Sequence, residues 1–444
     1  MKKILFITAF LLLQLGLFSQ DIEYARTIIN DLSSEDMHGR GYVNAGDRKA
    51  AFYVENEFKK FNLFAFDTLI FKSKNHQRKL KKYTQEFTFK VNSFPGEIII
   101  NTGDRDALKP GIDYLVKPTS GSIEEKELLL IYLDKKVLKK EKNYDEFLSQ
   151  DFTGCAVVID LEEFKKFKEE ENDYYFEIMD NYMRAEAMIL LQEGNLVWGV
   201  GRTQDKYPTF IFKKEKFPED LTKISVKVEH KFIKNYQSQN VVGMVKGKKY
   251  PDKYIIIGAH YDHLGRMGKD AYFPGANDNA SGTAMMLDLA KHYSDVFNEP
   301  DYSIVFIAFG AEEAGLVGSH FFTENPYFPL DKVEFMINLD MMSTGETGMT
   351  VVNATKNKKE FNILKKLNIK KHYLTEIKER GPSKNSDHYF FHENGVKSIF
   401  LYLGGIPEKE YYYHHVKDLP SNISLAGYEG AFKLLTDFIE ELQQ

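Results

Sequence analysis

The chain has 444 residues, 43% of them hydrophobic, with 59 basic against 65 acidic side chains for a net charge of −6. That length and apolar content support a sizeable core in one large or, better, two domains. The mild acidity excludes the basic footprint of a nucleic-acid binder, and a single cysteine, Cys155, excludes an intramolecular disulfide.

Lys2 and Lys3 precede an apolar run from Ile4 to Phe18, broken by Thr8, Gln14 and Gly16 and followed by Ser19-Gln20. This reads as a secretory signal peptide over residues 1–20, which predicts export to the periplasm or the medium. The run is short for a bilayer span, and no later segment is long and apolar enough for one. No cysteine follows it, which argues against a lipid anchor.

Residues 22–62 read as two helices around a turn. Ile22, Ala25, Ile28, Ile29 and Leu32 form a helical stripe, Gly39-Arg40-Gly41 and Gly46 break it, and Ala50 to Phe61 resumes it. These residues, within 21–82, are assigned to the helical start of a catalytic domain. From 83 to 235 the texture changes to strands with charged helical inserts. The strands are expected at 85–91, 97–100, 128–133, 156–159 and 209–212, with a polar helical stretch at 164–186. The Lys-rich runs at 79–82 and 135–142 have acidic residues close by and read as solvated faces. Cys155 opens Gly154 to Ile159 and is expected to be a small buried strand residue.

From 236 to 444 strand and helix alternate. Strands are expected at 241–245, 254–259, 303–309, 333–339, 350–353 and 398–402. Helices are expected at 280–294, 312–324, 357–367, 386–393 and 423–441. Short apolar runs separated by helices predict an α/β fold with a mixed, mostly parallel central sheet flanked by helices. In such sheets ligands gather at the carboxyl ends of the strands.

Chemistry-bearing residues fall at those ends. His260 closes Tyr254 to Ala259, Glu312-Glu313 follows the run ending at Phe309, and Asp340 follows Phe335 to Leu339. Asp278 lies in Asn277-Asp278-Asn279-Ala280-Ser281-Gly282, at the entrance of a helix. Each has a plain structural reading: a packed histidine, a helix cap, acids favoured by a helix dipole, a turn cap. Together with a late histidine they make two His, two Asp and one Glu. That set suits a pair of zinc ions sharing one carboxylate. Glu312, adjacent to Glu313 at an expected helix start, is then free to act as a base. Asp262 is placed to hold the unligated ring nitrogen of His260. His414 and His415 compete for the last position, and spacing does not choose between them.

With His260-Tyr261-Asp262, Asn277 to Gly282, Glu312 to Ser319, Asn338 to Met341 and Ser386 to His388 in place, the chain resembles the co-catalytic zinc exopeptidases, a family with secreted bacterial aminopeptidases and glutamate carboxypeptidase among its members. The likeness covers about 240–444 and extends to Gly39-Arg40-Gly41. It implies one zinc on His260 and Asp340, another on Glu313 and His414, and Asp278 bridging them. It implies Glu312 as general base, Asp262 as the partner behind His260, and Tyr413 as an oxyanion donor. His414 is preferred over His415 because members place an Asp four residues later, here Asp418, although Leu419 departs from the usual Thr. The Asp278–Asn279 bond is often cis in such proteins. Residues of about 115–215, above all 154–159 and 185–194, are similar to the β-rich protease-associated domain that many relatives insert. Residues 83–235 are assigned to such an insertion, which could cover the cleft or form a structural lid.

The function so implied is an exported aminopeptidase that cleaves peptide substrates with metal-activated water. A carboxypeptidase or dipeptidase on the same core is the alternative, with Arg380 as its candidate carboxylate-binding residue. A glutaminyl cyclase is disfavoured by the full ligand set. An inactive peptidase-fold binding protein is disfavoured because all six positions are filled.

Overall fold

The computed structural model describes residues 21–73, 76–103, 107–406 and 412–444. The signal peptide read over 1–20 lies outside the described residues. Among the described residues no helix is long and apolar enough to cross a membrane.

An eight-stranded mixed sheet carries the chain's chemistry. Its order is Ile377–Glu379, Met349–Val352, Ser398–Leu403, Val333–Leu339, Tyr250–His260, Tyr302–Phe309, Lys231–Val245 and Thr84–Ser93. The four strands from Ser398–Leu403 to Tyr302–Phe309 run parallel to one another, flanked by antiparallel pairings with Met349–Val352 on one side and with Lys231–Val245, then Thr84–Ser93, on the other. The parallel strands are apolar without alternation because both faces are covered. Ile255, Ile257 and Ala259 pack toward the helices Ile22–Leu32, Gly46–Lys60, Gly282–Ser294 and Tyr428–Leu442. Ile256, between them, packs on the opposite face with Phe322 of Val317–Glu324 and Phe391 of His388–Glu393. Fully burying such side chains stabilises by about 1.5–3 kcal/mol each, so this two-sided core sets the register of the strand ends.

The expected helices and strands are in place with shifted ends. One shift matters. The helix after Phe309 begins at Val317, not at Glu312, so Glu312-Glu313 sit in the turn before it. That turn is closed by the Gly315 and Leu316 amides, which donate to the Glu312 carbonyl at 2.8 and 2.7 Å.

A second, seven-stranded sheet takes its strands from residues 98–228, in the order Ile98–Asn101, Lys223–Val228, Ile123–Tyr132, Cys155–Asp160, Ala187–Gln192, Thr209–Lys213 and Tyr114–Val116. The strand Thr84–Ser93, placed by the sequence reading inside a segment of 83–235, belongs instead to the eight-stranded sheet, where it pairs antiparallel with Lys231–Val245. Its buried face, with Phe87, Phe89 and Val91, packs on Tyr42, Ala311 and Ala314 of the catalytic unit. The inserted sheet is also less purely β than expected. Three of its pairings are parallel, and the helices Glu141–Leu148, Leu161–Glu169 and Asp173–Met179 cover one face. Cys155 is buried on a strand, as expected. The other face packs against Leu264, Met267, Ala271 and Phe273 of the catalytic unit. The short hairpin Gly265–Met267 and Ala271–Phe273, which carries three of these, was not foreseen.

Candidate metal centre

His260, Glu312-Glu313 and Asp340 come together because three neighbouring parallel strands end side by side. His260 lies opposite Phe309 and Gly258 opposite Asn338 in register. Asp278 is brought over them by the turn Ala276–Ser281, which includes a cis Asp278–Asn279 bond. His414 arrives from the loop after Ser398–Leu403.

The side chains form two groups that share Asp278. His260 Nε2 is 3.4 Å from Asp278 Oδ1 and 3.5 Å from Asp340 Oδ1. His414 Nε2 is 3.2 Å from Asp278 Oδ2 and 3.1 Å from Glu313 Oε2. Zinc bonds of about 2.0–2.2 Å in a tetrahedron set ligand atoms roughly 3.3–3.5 Å apart, so each group fits one zinc ion. Asp340 Oδ1 is buried without a hydrogen-bond partner, the condition of an acceptor aimed at a cation.

Charge and burial oppose each other here. Burial pushes carboxyls up, yet the histidines hold Asp278 well below the usual carboxylate range and Glu313 at about 2. The acids in turn raise His414 to about 11 against the opposing effect of burial. Burial pushes Glu312 well above the usual range, opposed by His260 and reinforced by Glu313, Asp387 and Asp340. Such opposed shifts in one cluster mark a functional site.

The partners behind the ligands differ from expectation at His260. Its Nδ1 lies 3.1 Å from the backbone carbonyl of Asp262, whereas the Asp262 carboxylate stands off at 3.8 Å. That carboxylate accepts instead from the amides of Glu312 and Glu313, at 3.0 and 3.4 Å, and from the Tyr42 hydroxyl at 3.0 Å. Asp262 thereby orients the Glu312-Glu313 turn, and its backbone orients His260.

His263 was missed. Burial lowers its pKa, and its Nδ1 lies 2.7 Å from Glu313 Oε1. Asp278, Glu313 and His263 also form a compact potential ligand group. His414, not His263, lines the cleft and reaches both Asp278 and Glu313, so His263 reads as the neutral donor that fixes Glu313. The signal was present in the sequence, as a second histidine directly after Asp262. His415 is buried away from the ligands, and its Nδ1 accepts from the Lys417 amide at 3.1 Å.

The segment Asn277 to Gly282 works as a weld. Asn279 Nδ2 donates to the Leu339 carbonyl at 3.0 Å, and its Oδ1 accepts from the amides of Gly282 and Met341 at 2.9 and 3.2 Å. The ligand loops of Asp278 and Asp340 are thus tied together. Asp418 accepts from the amides of Asn277 and Asp278 at 2.9 and 3.0 Å, which explains a carboxylate four residues after His414. His414 itself has Nδ1 2.9 Å from the Trp198 carbonyl.

The cleft over the ligands has a volume of about 400 Å³. Glu312, Met341, Arg380, Phe400, Tyr402 and Tyr413 line it beside the ligands. Tyr413 stacks on the His414 ring at 3.9 Å and is half exposed, so its hydroxyl is available as a donor.

Comparison with known proteins follows the same division of the chain. The model of peptidase family M28 matches residues 240–439. Aminopeptidase YwaD of Bacillus subtilis (strain 168) is 34% identical over 225 residues, which are 48% of this chain and 46% of that protein. A glutamate carboxypeptidase 2 homolog of Caenorhabditis briggsae is 36% identical over 123 residues, which are 27% of this chain and 15% of that protein. The matches therefore span less than half the length of these curated relatives. BSAP, a zinc aminopeptidase from Bacillus subtilis, superposes with a TM-score of 0.66 at 24% identity over 95% of each chain, a likeness of fold across both sheets.

Proposed function

We propose, from the premise that residues 240–439 belong to peptidase family M28, that this protein is a di-zinc exopeptidase that removes N-terminal residues from peptides. The observation that carries the reading is the pair of tetrahedrally spaced ligand groups joined through the two oxygens of Asp278. The aminopeptidase assignment draws on the relative matched over the longer stretch. The leader read over residues 1–20 adds export to the proposal.

His260 and Asp340 would hold one zinc ion, Glu313 and His414 the other, with Asp278 shared. Bound there, zinc lowers the pKa of a water molecule and polarises the scissile carbonyl. Glu312 lines the cleft beside the ligands and takes the proton of the attacking water, then delivers it to the departing amine. The Tyr413 hydroxyl donates to the oxygen that gains negative charge. Asp262 and His263 keep Glu312 and Glu313 in position through the turn and the Oε1 contact. The apolar wall of Met341, Phe400 and Tyr402 offers a place for a substrate side chain.

Matched peptides with one end blocked test the assignment, with products read by mass spectrometry. Trimming is expected to require a free N-terminus. Trimming that requires a free C-terminus overturns the aminopeptidase reading in favour of a carboxypeptidase. Arg380, which lines the same cleft, would then be the residue to examine as the binder of the substrate carboxylate.

Metal should also stabilise the fold. Zinc added to chelator-treated protein at a hundred times its dissociation constant should contribute about 2.7 kcal/mol per site. Calorimetry should show this as a rise in unfolding temperature. An unfolding temperature indifferent to zinc would contradict a metal centre formed only in the folded chain.

A further inference from the structure

We infer that Trp198, in the inserted unit, is a positioning residue for the metal site at His414, so that the inserted sheet completes the metal centre as well as flanking it. The inference rests on the reading that His414 holds zinc, and it assigns the inserted unit a task at that site.

The contact is reciprocal. His414 Nδ1 lies 2.9 Å from the Trp198 carbonyl oxygen, and the Trp198 amide donates to the His414 carbonyl at 3.2 Å. With its Nδ1 proton given to that carbonyl, the imidazole presents Nε2 as a lone-pair donor toward Asp278 and Glu313. The hydrogen bond at one ring nitrogen decides which form the other nitrogen shows to a metal. At His260 the equivalent partner is the carbonyl of Asp262, two residues away on the same strand end. At His414 the partner comes from 216 residues away, in the other sheet's unit.

Trp198 is held as a fixed post. It is 6% exposed, its indole stacks on Phe273 at 4.6 Å and 18°, and Nε1 donates to the Val116 carbonyl at 2.7 Å. Val116 belongs to an edge strand of the inserted sheet, and Phe273 to the hairpin of the catalytic unit. The carbonyl that meets His414 is therefore braced from both units. A second grip lies two residues beyond His414. Val416 packs against the inserted unit's core, over Gly111, where an added Cβ would sit 2.4 Å from Val416 Cγ1. The backbone at His414 is left-handed, with φ 52°, a conformation that a non-glycine residue keeps only where its surroundings impose it. The loop that carries this ligand is clamped from the inserted unit at the histidine itself and two residues after it.

The test uses the full chain stripped of metal and titrated with zinc by calorimetry, as wild type, Trp198→Phe and Trp198→Ala. Trp198→Phe keeps an aromatic ring on Phe273 and removes the indole donor, so it decides the question if Trp198→Ala fails to fold. The variants keep the carbonyl but remove the side-chain contacts that fix it, so one of two zinc equivalents is expected to weaken, by up to the about 10–100-fold that loss of a partner behind a ligand brings. The other, on His260 and Asp340, is expected to keep its affinity. Folded variants in which neither equivalent changes, or in which both weaken alike, overturn the proposal. A nitrogen-15 spectrum gives a readout independent of zinc. The His414 Nδ1 proton should be protected from solvent exchange in the wild type and should lose protection in the variants. An unprotected proton in the wild type also overturns it. Wild-type protein that binds no zinc would instead refute His414 as a ligand, and the exchange measurement would still decide whether Trp198 holds the ring.

Discussion

Glu312→Ala is expected to bind zinc as the wild type does and to lose turnover by about 10²–10⁴-fold, the usual contribution of a positioned acid–base group. The reason lies in how two adjacent glutamates are used. Glu313 sends Oε2 to 3.1 Å from His414 Nε2 and Oε1 to 2.7 Å from His263. Both its oxygens are thereby committed. The carboxylates that close on His260 Nε2 are Asp278 and Asp340, which leaves Glu312 beside the ligands at the cleft. A rival role exists, because Glu312, Glu313 and His260 also lie close enough to share a cation. Zinc content measured alongside turnover separates the two. Loss of one zinc equivalent together with activity would make Glu312 a ligand. Turnover retained by the zinc-loaded variant would remove it from the chemistry altogether. In the expected result, only the rate falls.

Arg40→Leu is expected to cost the fold more than about 4 kcal/mol. Arg40 is fully buried and donates to five backbone carbonyls. Nε reaches Tyr261 at 2.8 Å, Nη1 reaches Leu32 and Pro274 at 2.9 and 2.7 Å, and Nη2 reaches Gly275 and Asp278 at 2.8 and 3.2 Å. Burial lowers its pKa only to about 10, so it stays charged at neutral pH, close to Asp278 and Asp418. A leucine would fill space but withdraw a donor from five buried carbonyls, of which Gly275 keeps the Ala280 amide at 3.1 Å, at roughly 1–3 kcal/mol for each carbonyl left unpaired before the surroundings relax. The glycine that follows has its own reason. A Cβ on Gly41 would sit 2.3 Å from Gly265 Cα, so a bare residue lets the segment pass beneath the hairpin that follows His263. Chemical denaturation of the metal-free protein measures the loss. A change smaller than about 1 kcal/mol would show that the carbonyls find other donors. Arg40→Lys should recover part of the loss, since an ammonium supplies charge but not the planar fork.

The alternation of apolar runs with helical stretches after residue 236 made the α/β sheet legible. Burial on both faces leaves a continuous apolar signature, as in Ile255-Ile256-Ile257. The placement of His260, Glu312-Glu313 and Asp340 after such runs was legible for the same reason, because an acid or histidine directly after a buried strand interrupts a strong pattern. The Glu312-Glu313 turn was misread as a helix start. Acidic residues ahead of a helix look like its first turn, and the Asp262 carboxylate that draws both amides into a turn is 50 residues away. Strand Thr84–Ser93 was placed in the wrong sheet because its alternating pattern reports that one face is buried, not against what.

What the sequence determined by itself is therefore local or periodic: which strands form, which side chains stand at their ends, and which chemistry that set of side chains suits. Tertiary structure alone decided how those side chains are held. The Asp262 carboxylate proved to support a turn and not the ring of His260. Arg40, marked in sequence only by flanking glycines, proved to tie Leu32 to the Asp278 loop. Trp198 met His414 across 216 positions through a backbone carbonyl, a group that every residue carries and that leaves no trace in composition or spacing. Side-chain chemistry is written residue by residue, but a hydrogen bond to the backbone depends only on where the chain passes, and that is set by the packing of two sheets against each other.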